Sequence, residues 1–512
     1  MASTARLLIR KFPHDNEKYM TNFFRHLSNQ PVIFPLNAAQ DVKSFGHIPT
    51  KRGRLLTLLD LILAGGPGYL HEHCDKRHKD LGPIYKEHLG DIELVFLADT
   101  KLIQAVIANE GQYPHHNVPK AWVFYNSVNK IERGLFFQVG EDWARLRRAF
   151  NKVIVADAKS INRFSGDILK INSDLLANWR QGLKSGEILL DNVKTELCKW
   201  SVETTGFMLF GNRLGCLSGD PRADELVEHV ANMFIETSKF QLLPVELARE
   251  LNLGTWRRFE RASSNMLRIA SDYATENIER ARSPSSSYSL IKDFLKNPTL
   301  SDQDVSRSVV DLIIAAADTT SNSLQWMLYL LAKEPDSQER ILREVEPLLS
   351  SISPKYNTID NAPYLKAFMR EVSRLYPTAP FLARTLEKDI VLDGYCVPAG
   401  KPIVFSLYTT SRMTKYFDQP LEFKPERWLR SPTKALSCPR TTNHAYASLP
   451  FGIGARMCVG RRAAELEMGL FVASFVKEFH CSLIEGDAVG IKLNMTLCPD
   501  KPIRLKLRPR CS

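Results

Sequence analysis

Three features that often reveal the class of a protein are missing from this sequence of 512 residues. It has no apolar run of roughly 18 residues or more, so the sequence predicts no membrane-spanning helix. Its nine cysteines include no Cys-x-x-Cys pair, which argues against a disulfide framework and indicates a reducing compartment. No basic run is interleaved with aromatic residues, so we expect no nucleic-acid partner.

What the chain does have is size, apolar content and positive charge. Hydrophobic residues make up 44% of the sequence, which is enough for a large core. No linker or internal repeat divides the chain, so we predict one large α-rich domain. The net charge of +11 suits an acidic protein partner or an anionic membrane surface, although a solvated basic surface is the simpler explanation.

The N-terminal segment differs in composition from the rest of the chain. Arg6, Arg10 and Lys11 accompany hydroxyl and apolar residues, and the first acidic residue is Asp15. This pattern resembles a mitochondrial presequence, and a disordered basic tail is the alternative. We therefore expect a targeting segment at residues 1–45 and the main domain at residues 46–512.

A histidine-rich segment invites comparison with a metal site. The pattern predicts a helix over residues 69–81, in which His71, Cys74 and His78 share one face. No second cluster has the spacing of zinc ligands, so we interpret the segment as a polar surface helix. The partly alternating residues 92–97 that follow predict a strand.

The most informative stretch is Phe-Gly-Ile-Gly-Ala-Arg-Met-Cys-Val-Gly at residues 451–460. A helical pattern starts directly after it, which places Cys458 at a helix N-terminus. Unpaired N–H groups and the helix dipole stabilise an anion there, so the cysteine is biased towards thiolate. Gly452 and Gly454 allow a tight turn and a close approach to a flat partner. Thiolate is the axial ligand with which haem iron cleaves an O–O bond.

This run resembles the haem-binding signature of the cytochrome P450 family, Phe-x-x-Gly-x-Arg-x-Cys-x-Gly, at every position. The resemblance extends from about residue 46 to the C-terminus. It implies the cytochrome P450 fold, mainly α with small β-sheets, in a single large domain around a buried haem b. It also implies that Cys458 binds the iron and that Phe451 and Gly452 belong to the cofactor site.

The same resemblance assigns residues to the haem propionates. Trp143 and Arg147 are four apart and share a helical face, in a segment similar to the helix that crosses the haem in this family. An indole N–H and a guanidinium group can satisfy the propionates. Arg384 and Arg456 match two further propionate-binding arginines of the family.

A long helix is predicted after a capping box at residues 301–304 and before Pro335. Its middle places Asp318 and Thr319 in an apolar run of small residues, where a buried acid and alcohol need partners. The run resembles the oxygen-activation motif of the family. Thr319 would then hydrogen-bond dioxygen and Asp318 would relay protons, while Ala316 replaces the usual glycine and Ala315 faces the substrate.

Three more groups of residues follow from the resemblance. Glu371, Arg374 and Arg427 correspond to a buried charged triad that fixes the segment before the cysteine, although Glu371 and Arg374 alone could form a surface pair. The basic residues of the second group lie where mitochondrial members dock a ferredoxin, which receives its electrons from a reductase. This group consists of Lys366, Arg370, Arg461 and Arg462.

The third group concerns the substrate. Residues 239–251 lie where the family has its access lid, which can touch a membrane surface, and a plain helix-loop-helix is equally compatible. Stretches at residues 59–66, 110–114, 133–137, 314–320 and 448–451 resemble the arthropod mitochondrial ecdysteroid 2-hydroxylases within the family. The resemblance implies conversion of 2-deoxyecdysone to ecdysone, peripherally on the matrix side of the inner membrane. The expected pocket residues, besides Ala315, are Trp122, Phe124, Phe381 and Thr496.

Three other functions compete with this one. A sister enzyme would hydroxylate the side chain of the same steroid, at carbon 22 or 20. A haem-thiolate isomerase or dehydratase would act on a peroxide without dioxygen, and a haem protein could sense or carry a gas. Asp318 and Thr319 favour the monooxygenase, since the last two functions need no proton relay to bound dioxygen.

Overall fold

A computed structural model describes residues 42–51, 53–155, 158–182, 186–191, 193–283, 287–349, 359–429, 445–484 and 489–510. Nearly all of the predicted targeting segment, residues 1–41, therefore lies outside the described residues, and the prediction about it stays a prediction. Within the described part, no helix is both long and apolar enough to cross a membrane.

Helices dominate the described chain, as the resemblance implied. They are Arg54–Leu63, Leu70–Leu81, Thr100–Ala108, Lys120–Val128, Gly140–Phe150, Ala158–Asn162, Ser165–Gln181, Val193–Phe210, Pro221–Lys239, Val245–Glu250, Gly254–Ala281, Leu290–Leu295, Asp302–Lys333, Pro335–Leu349, Pro363–Leu375, Leu407–Thr410 and Arg461–Glu478.

The strands form small sheets at the edges of the helical body. They are β1 Ile84–Leu89, β2 Ile92–Leu97, β3 Ile188–Leu190, β4 Phe381–Thr385, β5 Ile390–Leu392, β6 Tyr395–Val397, β7 Pro402–Ser406, β8 Phe479–Leu483, β9 Ile491–Asn494, β10 Thr496–Pro499 and β11 Leu505–Pro509. The largest sheet has the order β1-β2-β7-β4; β1 and β2 pair antiparallel, β2 and β7 parallel, and β7 and β4 antiparallel. The other sheets have the orders β3-β11-β8, β9-β10 and β5-β6.

The helix Asp302–Lys333 organises the core, and we call it the central helix. Its 32 residues span about 48 Å at a rise of about 1.5 Å per residue, close to the predicted length. The predicted capping box is present: the Ser301 side chain accepts from the Asp304 N–H, and Asp304 accepts from the Ser301 N–H. Other helices pack around it, among them Val193–Phe210, Gly254–Ala281 and Arg461–Glu478.

The histidine-rich helix, Leu70–Leu81, is where our prediction of a polar surface helix is wrong. Its three histidines, Cys74 and Arg77 are all buried. The charged groups are tolerated inside because they are paired: Arg77 Nε donates to Glu87 on β1 at 2.8 Å, and His73 Nε2 lies 3.0 Å from the same carboxylate. No metal-binding group of side chains is found in the described residues.

Candidate active site

The loop before Cys458 contains a tight turn that favours glycine at two positions. Gly452 and Gly454 have φ of 72° and 75°, in the left-handed region that other residues rarely adopt. At Gly454 a side chain would also collide, since a Cβ atom there would lie 2.3 Å from Glu110 Oε1. The Cys458 N–H donates to the Phe451 carbonyl at 2.8 Å, and the helix Arg461–Glu478 follows. The loop therefore fixes the cysteine just before a helix N-terminus.

Cys458 lies within the protein and still keeps accessible surface, so its side chain faces a cleft. Burial raises the pKa of the Cys458 thiol, while the Gly460 backbone and the positive charge of Arg147 act in the opposite direction. The backbone at the helix N-terminus thus acts on the thiol pKa in the predicted direction, and burial acts against it. A bound metal ion would supply the positive charge that favours deprotonation.

The central helix is also open to a cleft at its middle. Ala315 is exposed and Thr319 is half-buried, although most of the residues around them are buried. They are four apart and therefore share a face. The next residue, Thr320, donates its hydroxyl to Glu467 at 3.2 Å. Glu467 lies nine positions after Cys458. This bond ties the central helix to the helix that begins at the cysteine loop.

Three arginines lie near the cysteine loop: Arg147 and Arg384 are buried, and Arg456 is half-buried. Arg456 donates to the carbonyls of Pro114 and Gln138 at 2.8 and 3.0 Å, and its guanidinium group lies 4.0 Å from the centre of the Trp143 ring. Burial and the positive charges of Arg384 and Arg147 lower the pKa of Arg456 to about 9. Such a cluster of like charges is costly, and anionic groups would relieve it.

Arg147 and Arg384 complete this cluster. Arg147 is buried, and its Nε has no hydrogen-bond partner among the described residues; burial lowers the pKa of its guanidinium group. Arg384 donates from Nε to Glu110 at 2.7 Å and from Nη2 to the Ile453 carbonyl at 3.0 Å. The three guanidinium groups, together with the unpaired buried Nε of Arg147, suit a bound group that carries two carboxylates.

These observations fit haem. Arg147, Arg384 and Arg456, with Trp143, would hold the propionates, Cys458 would bind the iron, and the glycine turn would let the loop approach the ring. When bound, haem accepts electrons and activates dioxygen. The protein contributes the cation cluster, the cleft and the fixed position of the sulfur.

The predicted charged triad is brought together in full. Arg374 donates to both carboxylate oxygens of Glu371, at 2.7 and 2.9 Å, and Arg427 Nε donates to Glu371 at 2.9 Å. Arg374 also donates to the carbonyls of Ser411 and Pro420 at 2.7 and 2.6 Å. The triad therefore holds the segment from residue 411 to residue 428 against the helix Pro363–Leu375.

The acid and the alcohol of the central helix point to different partners. Thr319 donates its hydroxyl to the Ala315 carbonyl at 2.8 Å. Asp318 is buried and accepts from Asn322 Nδ2 at 2.9 Å and from Thr496 Oγ1 at 2.5 Å. Burial raises the pKa of Asp318, against the positive charge of Lys194 and these two hydrogen bonds. The Thr496 hydroxyl, which we expected in the substrate pocket, is turned to this carboxyl group.

The remaining predicted pocket residues lie on two elements: Trp122 and Phe124 on the helix Lys120–Val128, and Phe381 on β4. Trp122 is half-buried, and its Nε1 donates to Thr237 at 2.7 Å. Phe124 packs edge-to-face on Trp256, with ring centres 5.7 Å apart. Phe381, in β4, is half-buried.

The predicted ferredoxin-docking residues all reach the surface. Lys366 pairs with Asp360 at 2.5 Å, and Arg461 pairs with Glu465 at 3.0 Å. Arg370 is exposed and lies over the Trp428 ring at 5.1 Å, and Arg462 is exposed. Two of the four charges are thus partly balanced within the chain.

Sequence reasoning missed three residues of this site. Glu110 joins Arg384 to the cysteine loop through the Ala455 N–H at 3.1 Å. His116 lies near the arginine cluster, and burial with the charge of Arg456 lowers its pKa to about 3, so its ring is neutral. Glu467 accepts from Thr204 at 2.8 Å, and burial raises its pKa to about 7. Of these three residues, only Glu467 could have been found from the sequence, because an acid in an apolar stretch indicates a buried polar group.

Comparison with known proteins agrees with this description. The family described as Cytochrome P450 matches residues 49–507. "Cytochrome P450 315a1, mitochondrial" of Drosophila melanogaster is 31% identical over 96% of this chain and 94% of its own length.

Two vertebrate relatives are similar at comparable identity. The mitochondrial 1,25-dihydroxyvitamin D(3) 24-hydroxylase of Mus musculus is 29% identical over 90% of this chain and 88% of its own. The mitochondrial cholesterol side-chain cleavage enzyme of Oncorhynchus mykiss is 29% identical over 95% of each chain. With a family match over most of its length and a haem site of this composition, the chain belongs to the cytochrome P450 family of haem b monooxygenases.

Proposed function

We propose that this enzyme is a mitochondrial, ferredoxin-fed steroid hydroxylase and that its reaction is 2-hydroxylation of 2-deoxyecdysone to ecdysone. The observation that carries the proposal is similarity over nearly the whole chain to relatives that are named mitochondrial, two of them named for sterol-derived substrates. The stretches that resemble ecdysteroid 2-hydroxylases narrow the substrate within that class. The chemistry is R–H + O2 + 2 electrons + 2 H⁺ → R–OH + H2O.

The protein must deliver the two protons of this reaction in step with the electrons. Thr319 is placed to do so at the cleft, because its hydroxyl is half-exposed and engages only the backbone oxygen of Ala315 in the hydrogen bonds described. Asp318 lies one residue away and can supply a proton from the protein interior. If delivery fails, the same electrons and protons reduce dioxygen to hydrogen peroxide, and no product forms.

A steroid needs a large apolar cavity with a few polar groups. Trp122 and Phe381 supply aromatic surface, and Ala315 leaves room beside the central helix. Hydroxylation at carbon 2 requires the A ring to enter the cleft first, with the hydroxylated side chain towards the lid. Hydroxylation of the side chain needs the opposite orientation, and the relatives named for 24-hydroxylation and side-chain cleavage make it the second candidate.

A peripheral membrane contact is the second part of the proposal. The helix Arg54–Leu63 leaves Leu55 and Leu63 76% and 84% exposed, and Leu251 at the end of the lid is 61% exposed. These surfaces are neighbours: Arg54 donates to the Gly90 carbonyl at 3.1 Å, and Gly90 lies against Gln241 in the lid. Apolar side chains beside basic residues suit an anionic lipid surface.

Turnover with a defined ecdysteroid tests the proposed reaction. The purified enzyme is reconstituted with ferredoxin, ferredoxin reductase and NADPH, incubated with 2-deoxyecdysone, and the new hydroxyl is located by mass spectrometry and NMR. We expect oxygen at carbon 2, and no product without ferredoxin. Oxygen on the side chain would support the second candidate, and no turnover of any ecdysteroid would refute both.

A further inference from the structure

Asp318 is held by side chains from two different parts of the chain. Its Oδ2 accepts from Thr496 Oγ1 at 2.5 Å and from Asn322 Nδ2 at 2.9 Å, and Asn322 Nδ2 also lies 3.0 Å from Thr496 Oγ1. All three residues are buried. We call this closed triangle the Asp318 clamp.

When Asp318 is ionised, one arrangement of the hydrogen atoms satisfies all the bonds of the clamp. Gln325 Nε2 donates to Asn322 Oδ1 at 3.0 Å, which turns the Asn322 amide nitrogen towards Asp318 and Thr496. One amide hydrogen then goes to each, and the one hydroxyl hydrogen of Thr496 goes to Asp318. Both donors stabilise the ionised form of the carboxyl group.

The backbone around Thr496 is fixed independently of Asp318. Thr496 starts β10, directly after the hairpin turn at Met495, whose φ is 67°. The next residue, Leu497, donates its N–H to the Thr378 carbonyl at 2.9 Å and accepts from Trp326 Nε1 of the central helix at 3.4 Å. The hydroxyl is therefore presented by a rigid hairpin.

We propose that Thr496 and Asn322 are positioning residues for Asp318, so that the β9–β10 hairpin controls how efficiently electrons lead to hydroxylation rather than to hydrogen peroxide. The inference rests on the proposed role of Asp318 as proton donor. When Asp318 gives a proton to the cleft, the two donors stabilise the carboxylate that remains until it takes up a proton from water. Without them, that carboxylate is buried with fewer partners and proton release becomes unfavourable.

Thr496→Val tests the clamp, because valine keeps the branched shape and replaces the hydroxyl group by a methyl group. In the reconstituted holoenzyme with 2-deoxyecdysone, or with whichever ecdysteroid it hydroxylates, product per NADPH should fall about tenfold, as for loss of a hydrogen bond to a charged group. Hydrogen peroxide should rise in step. Thr496→Ser keeps the hydroxyl and should restore the wild-type ratio.

Two controls separate positioning from other effects. Asn494→Ala removes a polar side chain of the same hairpin that donates to Cys498 Sγ at 3.5 Å and does not touch the Asp318 carboxyl, so its product ratio should match wild type. Haem content and the substrate-induced spectral shift should be unchanged in every variant. If Thr496→Val does not bind haem, Asn322→Ala removes the other donor and should give the same loss.

The outcomes also distinguish this inference from the proposed function. If Asp318→Asn lowers the product ratio and Thr496→Val does not, the clamp is wrong and the proton donor stands. If neither lowers it, the role of Asp318 is wrong as well. A weaker substrate affinity in Thr496→Val with an unchanged product ratio would make Thr496 a substrate contact instead. In the double variant of Asp318→Asn and Thr496→Val, the fall in product per NADPH should not exceed that of Asp318→Asn alone.

Discussion

Replacing Glu467 by glutamine should change how the stability of the protein depends on pH. Glu467 is buried between Thr204 and Thr320, and its burial raises its pKa to about 7 from an ordinary 4.5. Below pH 4.5 the carboxyl is protonated in both the folded and the unfolded chain. Between 4.5 and 7 only the unfolded chain loses the proton, so the free energy of unfolding falls as pH rises.

The difference between these two pKa values corresponds to about 3 kcal/mol, reached by about pH 7 and constant above it. Glutamine has no proton to lose, so Glu467→Gln should be free of this decline. We would measure denaturant unfolding of the holoenzyme by circular dichroism at pH 5 and pH 8. Because the unfolded carboxyl is already largely ionised at pH 5, the variant should gain about 2.5 kcal/mol relative to wild type between the two pH values.

Glu465→Gln is the matched control for this measurement. Glu465 lies two positions away, its side chain is 43% exposed, and it pairs with Arg461 at the surface, so its removal should cost less than about 1 kcal/mol at either pH. If wild type and Glu467→Gln lose stability in parallel between pH 5 and pH 8, the carboxyl ionises normally and our account of its burial is wrong.

Three further predictions concern the proposed reaction and its support. Thr319→Ala should bind haem and accept electrons normally but release most of them as peroxide, which an unchanged product yield per NADPH would contradict. Reversing the charges of Lys366 and Arg370 together should lower the rate of first-electron transfer from ferredoxin. The decrease should be largest at low salt, because added salt screens surface charges. Stopped-flow rates that depend on neither charge nor salt would exclude this docking face. Glu371→Gln leaves the buried Arg374 without its charged partner and should destabilise the protein by about 3–5 kcal/mol. The variant should lose haem at a lower temperature on heating. Haem retention equal to wild type would show that the triad is dispensable.

Features that depend on neighbouring residues could be predicted from the sequence. The capping box at Ser301 and the length of the central helix follow from local hydrogen bonding and spacing, and the structure has both. The cysteine loop is equally local, because its glycines and the following helix lie within a few residues of Cys458. The fold class followed from the family resemblance that this loop carries.

Features that depend on distant segments could not be predicted. Helical spacing shows which residues of Leu70–Leu81 share a face but not what covers that face. A helix rich in charged residues therefore predicts a surface position, whereas Glu87 on β1 pairs with its buried Arg77. The bond between Arg384 and Glu110 joins residues 274 positions apart. The direction of the Thr496 hydroxyl depends on how the hairpin packs against the central helix, which no local pattern records.

The carbon monoxide spectrum of the reduced enzyme tests the central claim most directly, because thiolate ligation to haem iron gives a red-shifted carbonyl band. Wild type should show this band, and Cys458→Ser should lose it. The neighbouring Arg462→Ser variant, altered at an exposed position, should keep it. A red-shifted band retained by Cys458→Ser would contradict the assignment of Cys458 as the iron ligand and the account built on it.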